Sequence, residues 1–158
     1  MKASAIYAGA SNPVDLCENC AMTSLLLGID IGTTAAKAVL VTPGGQVISE
    51  GRAQYLTEHL AVNWVEQNPE EWWRALCSAT LEAVAKVPGV KILGVAISSQ
   101  APTFLAVDSS GDPLRPALIW MDRRAEKEAQ EIANKIPNIA ELTGNRADPY
   151  YVAAKILW

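Results

Sequence analysis

The chain has 158 residues, half of them hydrophobic and 19% charged, with 13 Lys and Arg against 17 Asp and Glu and a formal net charge of −4. A basic patch is the electrostatic footprint of a nucleic-acid partner, and the scattered, outnumbered cations exclude that class. No apolar run approaches the ~18 residues a membrane span needs, and three cysteines are too few for a disulfide framework, so a reducing cytoplasm is the expected compartment. The length suits one domain with a real core.

Residues 1–21 stand apart. They carry one Lys, no continuous apolar stretch and no periodicity, which makes them a poor secretory or transit signal. They are expected to be a disordered extension, with Met22 as an alternative start. Cys17-Glu18-Asn19-Cys20 has the spacing of half a zinc site, but a second ligand pair is needed and the single His, His59, is far away in sequence.

From Met22 the pattern becomes regular. Leu25–Ile31, Ala36–Thr42 and Val47–Tyr55 predict three antiparallel strands, with Pro43-Gly44-Gly45 turning the second into the third. Between the first two lies Gly28-Ile29-Asp30-Ile31-Gly32-Thr33-Thr34, which has the chemistry of a phosphate-binding hairpin. Gly32 admits a ligand close to the backbone, the Thr33 and Thr34 hydroxyls and nearby N–H groups can donate to phosphate oxygens, and Asp30 can hold a hydrated Mg²⁺. Lys37 follows with a positive charge in reach of a phosphate or an acidic neighbour. An ordinary glycine-containing turn, with Asp30 satisfying turn N–H groups, is the competing reading of so short a string.

Asn68-Pro69-Glu70-Glu71 places a cap, Pro in the first turn and acids behind it, predicting a helix over 69–86 with an apolar stripe of Trp73, Leu76, Cys77, Leu81 and Val84. Cys77 reads as a small buried hydrophobe. Trp64, Trp72 and Trp73 are expected to pack the meander against this helix, with Trp64 also a candidate to touch substrate, and His59 is taken as an incidental loop residue. After Pro88-Gly89, Ile92–Ile97 predicts a strand buried on both faces. The polar loop Ser98-Ser99-Gln100-Ala101-Pro102 leads to a strand over 103–107, a Ser109-Ser110-Gly111-Asp112 turn and a strand ending at Leu118-Ile119-Trp120. A helix is expected over 123–136, with Lys127/Glu131 and Glu131/Lys135 spaced i, i+4. Asp148-Pro149 predicts the start of a last helix, still running at Trp158. Three antiparallel strands, a crossover helix and a buried strand make an α/β, ribonuclease-H-like (actin-like ATPase) domain.

Three segments in register carry a family resemblance: Gly28–Lys37, Asn63–Trp73 (NWVEQNPEEWW) and Leu114–Arg124 (LRPALIWMDRR). Together they resemble the start of the FGGY carbohydrate kinases, most of all the xylulokinase branch, over essentially all of residues 22–158. Members have two actin-like domains with ATP and sugar in the cleft between them. The resemblance implies a partial N-terminal kinase domain, ATP and Mg²⁺ as cofactors, and phosphorylation of a small sugar or polyol, a pentulose such as D-xylulose first and glycerol second. It implies that Asp30 helps position Mg²⁺ and that Gly32, Thr33 and Thr34 line the path of the transferred phosphate, with Lys37 beside them as a phosphate-binding candidate on its charge alone. The catalytic base is an aspartate of the family that lies beyond Trp158, so the chain is expected to be an incomplete fragment, inactive alone. A homo-oligomer of the full-length enzyme is compatible with it.

Substrate contacts are expected at Gln100, Ala101, Pro102, Trp120, Asp122 and Arg123. Gln100 offers a donor and an acceptor to vicinal hydroxyls, whereas many relatives place polar or charged residues where this chain has Ala101-Pro102. Gln100 as a plain loop amide, Trp120 as core, and Asp122 as the N-cap of the following helix are the alternatives. Two rival functions are a chaperone or filament ATPase of the actin superfamily, which shares the hairpin but not the two later segments, and a non-catalytic fragment stabilised by another chain.

Overall fold

A computed structural model of the chain describes residues 23–158, so the Cys17/Cys20 pair and the reading of residues 1–21 lie outside the described residues. β1 (Ser24–Ile31), β2 (Ala35–Val41) and β3 (Val47–Gln54) form the expected antiparallel meander, each boundary within about a residue or two of the sequence pattern. Strict alternation in β1 sends Leu25, Leu27 and Ile29 to the buried face and leaves Leu26, Gly28 and Asp30 on the other. The β2–β3 turn closes through Gly45 N–H to the Thr42 carbonyl at 2.9 Å, and Gly45 takes the positive φ of 88° that an L side chain resists.

β4 (Glu58–Ala61) and β5 (Trp64–Gln67) follow and were not legible in the sequence, because neither alternates over more than four residues. They pair with each other and with the two-residue β7 (Ala117–Leu118) in a separate sheet of order β4-β5-β7. His59 is therefore a strand residue, not a loop residue.

The helix α1 (Pro69–Ala85) begins as expected, with Asn68 Oδ1 accepting from Glu70 N–H at 3.0 Å and Lys86 as C-cap. Its buried stripe is not the predicted one. Ala75, Ala79 and Ala83 face the meander, Leu76 and Val84 flank them, and Trp73 and Leu81 are exposed. The reason is close approach: a Cβ at Gly51 of β3 would lie 2.1 Å from the Ala79 carbonyl oxygen. Only a small-residue face can sit that near the sheet. Trp72 packs on Ala36 and Tyr55 as expected, Trp73 does not.

β6 (Lys91–Ser99) runs parallel to β1 and completes the sheet order β3-β2-β1-β6. The expectation of burial on both faces is corrected: Leu93, Val95 and Ile97 are 50%, 58% and 64% exposed, since α1 covers β1 to β3 and no described element covers β6. Residues 103–107 form no strand. Pro102, Pro113 and Pro116 withhold ladder donors, and only the bridges Phe104–Leu118 and Val107–Pro113 remain around an Asp108-based turn.

The second helix, α2 (Glu126–Lys135), starts three residues later than predicted, so Asp122 is not its N-cap. Glu131 and Lys135 pair at 3.9 Å, whereas Lys127 pairs with no carboxylate among the described residues. α3 (Ile139–Thr143), unforeseen, precedes α4 (Val152–Leu157), which begins at Val152 rather than at Pro149. Asp148 instead accepts from Tyr150 N–H at 2.9 Å and pairs with Arg123 at 3.1 Å. Ala125, Ala129 and Ala154 seat α4 on α2. No helix among the described residues is long and apolar enough to cross a membrane.

Candidate active site

The β1–β2 turn is the centre of the site. Gly32 N–H donates to the Ala35 carbonyl at 3.1 Å, closing a tight polar turn that carries Thr33 and Thr34. Asp30, at the end of β1, lies directly opposite Lys37 of β2, and both border an open depression of about 380 Å³ with Gly28, Val39, Ala96 and Ser98. A Cβ added at Gly32 would sit 3.4 Å from the Ala35 carbonyl and 3.6 Å from Asp30 Oδ2, so glycine leaves a cradle beside the carboxylate.

The turn is held from behind by uncharged groups. Tyr55 Oη donates to the Gly32 carbonyl, and Gln67 Nε2 donates to the Thr33 carbonyl at 2.6 Å. Burial, with the Asp30 charge adding to it, pushes the Tyr55 phenol up to about 12, so it stays a neutral donor across the physiological range. Gln67 is 1% exposed and also contacts Thr57 Oγ1 at 2.6 Å, while its Oε1 accepts from Trp72 Nε1 at 2.9 Å and Gln100 Nε2 at 2.6 Å.

Two of the predicted sugar residues reach this turn from separate segments. Gln100 follows β6, and its backbone N–H donates to the Ile31 carbonyl at 2.9 Å. Trp120 Nε1 donates to Thr33 Oγ1 at 3.0 Å. Gln100 Oε1 and Thr103 Oγ1 are buried with no hydrogen-bond partner, and both residues line a cavity of about 310 Å³ with Ile31, Trp72, Ser99 and Leu105. Ala101 and Pro102 border this loop without side-chain donors.

Asp122 and Arg123 are not brought to the turn. Asp122 is fully buried, accepting from Val65 N–H at 2.7 Å and from Arg124 Nε at 2.9 Å. Arg123 pairs outward with Asp148. The Arg124 side chain, 1% exposed, also makes ion pairs at 2.7 Å with Asp122 and Glu66, and it lies 4.1 Å above the Trp64 ring. Trp64 is thus a platform for a buried cation. Lys155, 1% exposed, donates to the Ile119 carbonyl at 2.6 Å, and burial drops its ammonium to about 8 against the pull of Asp122. Tyr55, Gln67, Thr57, Glu66 and Lys155 all escaped the sequence reading. Gln67 sits in the quoted NWVEQNPEEWW segment but carries no signal of its own, since an isolated polar residue ahead of a helix cap reads as loop.

A four-stranded sheet with one parallel edge strand, a crossover helix and a tight Gly-Thr-Thr turn between β1 and β2 defines an actin-like ATPase fold. The match to known proteins narrows this. Residues 25–158 match the model of the N-terminal domain of the FGGY family of carbohydrate kinases, and the chain belongs to that family. It is 35% identical to the xylulose kinase of Klebsiella pneumoniae over 136 residues, 85% of this chain and 28% of that protein. It is 34% identical to the gluconokinase of Bacillus subtilis (strain 168) over 139 residues, 87% of this chain and 27% of that protein. A crystal structure of a xyloylose kinase from Brucella ovis superposes with a TM-score of 0.79 at 30% identity, covering 85% of this chain and 28% of that one. Glycerol kinases are also among its relatives. The chain thus spans little more than a quarter of the length of the curated relatives it matches.

Proposed function

We propose that residues 22–158 supply the phosphate hairpin and one wall of the sugar site of an ATP-dependent kinase acting on a small sugar, a pentulose such as D-xylulose first. The observation that supports this most is the meeting of Gln100 and Trp120, from two distant segments, with one Gly-Thr-Thr turn. Thr33 Oγ1 accepts from Trp120, which leaves its own proton free to donate to a phosphate oxygen. Thr34 and Lys37 add a hydroxyl and a positive charge. Asp30 suits Mg²⁺, which keeps several waters and needs only one or two carboxylates beside substrate phosphates. Mg²⁺ held there would offset the charge that builds on phosphate oxygens during in-line transfer.

On the sugar side, the unpaired Gln100 Oε1 and Thr103 Oγ1 accept hydroxyl protons, and the Trp120 ring offers an apolar face. Asp122 and Arg123 act from a distance: Asp122 fixes the turn that presents Trp120, and Arg123 braces it from outside. In-line transfer leaves the protein mainly positioning and charge stabilisation. A glycerol or other polyol substrate is the second reading, favoured by the absence of side-chain donors at Ala101 and Pro102.

Amide NMR titration of the chain tests this. Mg·ATP is expected to shift Gly32, Thr33, Thr34 and Lys37, and D-xylulose to shift Gln100, Thr103 and the Trp120 indole. A response to glycerol but not to D-xylulose or D-gluconate replaces the pentulose assignment. A hairpin indifferent to Mg·ATP overturns the kinase reading in favour of a non-catalytic piece.

A further inference from the structure

We propose that Gln67 is a positioning residue that locks the loop after β6 to the phosphate hairpin and dictates which face of the Gln100 amide meets the substrate. The identity of that substrate rests on the function proposed above, but the link itself does not. A primary amide has two N–H donors and two acceptor lone pairs. Gln67 uses all four: Nε2 toward the Thr33 carbonyl and Thr57 Oγ1, Oε1 toward Trp72 Nε1 and Gln100 Nε2.

The orientation of the amide follows from chemistry. An indole N–H only donates and a backbone carbonyl only accepts, so Trp72 and the Thr33 carbonyl together fix Gln67 Oε1 on the Trp72 side. That oxygen then demands a donor from Gln100, which turns Gln100 Nε2 inward. Gln100 Oε1 is left buried and unpartnered beside the 310 Å³ cavity. The chain of constraints runs Trp72 to Gln67 to Gln100, and its end is an acceptor that selects a hydroxyl donor. The same amide grips the hairpin through the Thr33 carbonyl, so the two halves of the site are set as one unit although Gln67 touches neither ligand.

Amide hydrogen exchange on Gln67→Leu and Gln67→Glu reads the link directly. In Gln67→Leu the Gly32 and Gln100 amides, bonded to Ala35 and Ile31, are expected to exchange at least tenfold faster, with Val39 and Gly51 unchanged. In Gln67→Glu, at pH 8, the carboxylate still accepts from Trp72 and Gln100 but cannot hold the Thr33 carbonyl, so Gly32 accelerates and Gln100 does not. This milder variant decides the matter if Gln67→Leu does not fold. Unchanged Gly32 and Gln100 exchange, or equal acceleration of all four amides, overturns the proposal. D-xylulose or glycerol affinity, whichever the wild type shows, should fall at least tenfold in Gln67→Leu and stay within about twofold in Gln67→Glu; an unchanged value in the first sinks the sugar side. A wild type that binds neither sugar counts against the proposed substrate, while the exchange rates still decide the link.

Discussion

Two polar networks lie side by side in this domain, and they are made of opposite chemistry. Around the hairpin, Gln67, Gln100, Trp72, Trp120 and Tyr55 are uncharged, and all donate hydrogen bonds in one connected set. Beyond the Trp120 turn, Arg124, Asp122, Glu66, Arg115 and Lys155 are charged, with Arg115 over Trp158 and Arg124 over both Trp64 and Trp158. The difference teaches how a turn and its supporting scaffold can be held by separate kinds of polar contact. Neutral donors shape the turn without adding fixed charge, which leaves Asp30 and Lys37 to set its field. The ionic cluster holds the scaffold where no ligand has to enter, and its members need one another because a buried charge left alone is expensive.

The sharpest way to break the comparison is Asp122→Ala. It leaves the Val65 N–H unpaired in the interior and Arg124 with Glu66 as its one remaining close carboxylate, and a loss of about 3–5 kcal/mol is expected in urea unfolding. A loss below ~1 kcal/mol would mean that the ionic cluster is no more than a surface pair.

Asp30→Ala probes the one acidic charge at the neutral site. Turnover of the kinase carrying it should fall on the order of a hundredfold, about 2.7 kcal/mol of transition-state stabilisation. Sugar binding and folding should change little. A near-normal kcat would reduce Asp30 to a turn-capping residue.

Alkaline pH separates the two networks by sign. The Tyr55 phenol is raised from 10.0 to about 12, so its contribution is whole below pH 10 and is lost as pH climbs through 12, on the order of 2–3 kcal/mol. Lys155 is lowered from 10.5 to about 8, so its contribution is whole above pH 10.5 and is lost as pH falls through 8. Stability measured by urea unfolding should therefore rise from pH 8 toward 10 and fall beyond it. Lys155→Met should flatten the rise and leave the fall.

The smallest effect is expected from Tyr55→Phe. It removes one part-buried hydrogen bond to the Gly32 carbonyl, about 1 kcal/mol, and it should abolish the loss above pH 10. Persistence of that loss would assign it to another group.

The meander, α1 and the hairpin were legible because their signals are local: alternation in β1, a cap-Pro-acid start in α1, and a Gly-Thr-Thr turn between strands. Asp30, Gly32, Thr33, Gln100 and Trp120 could be singled out from residue type and order. Only the fold decided which side of α1 is buried, because the limit on its approach is set by Gly51, some thirty residues away and on another element. It also took the fold to send Asp122 into an ion pair instead of a helix cap, since Arg124 and Val65 compete for the same carboxylate. Gln67 is the clearest case. Its four partners come from residues 33, 57, 72 and 100, and no spacing along the chain encodes a hydrogen-bond hub that exists only when four elements meet.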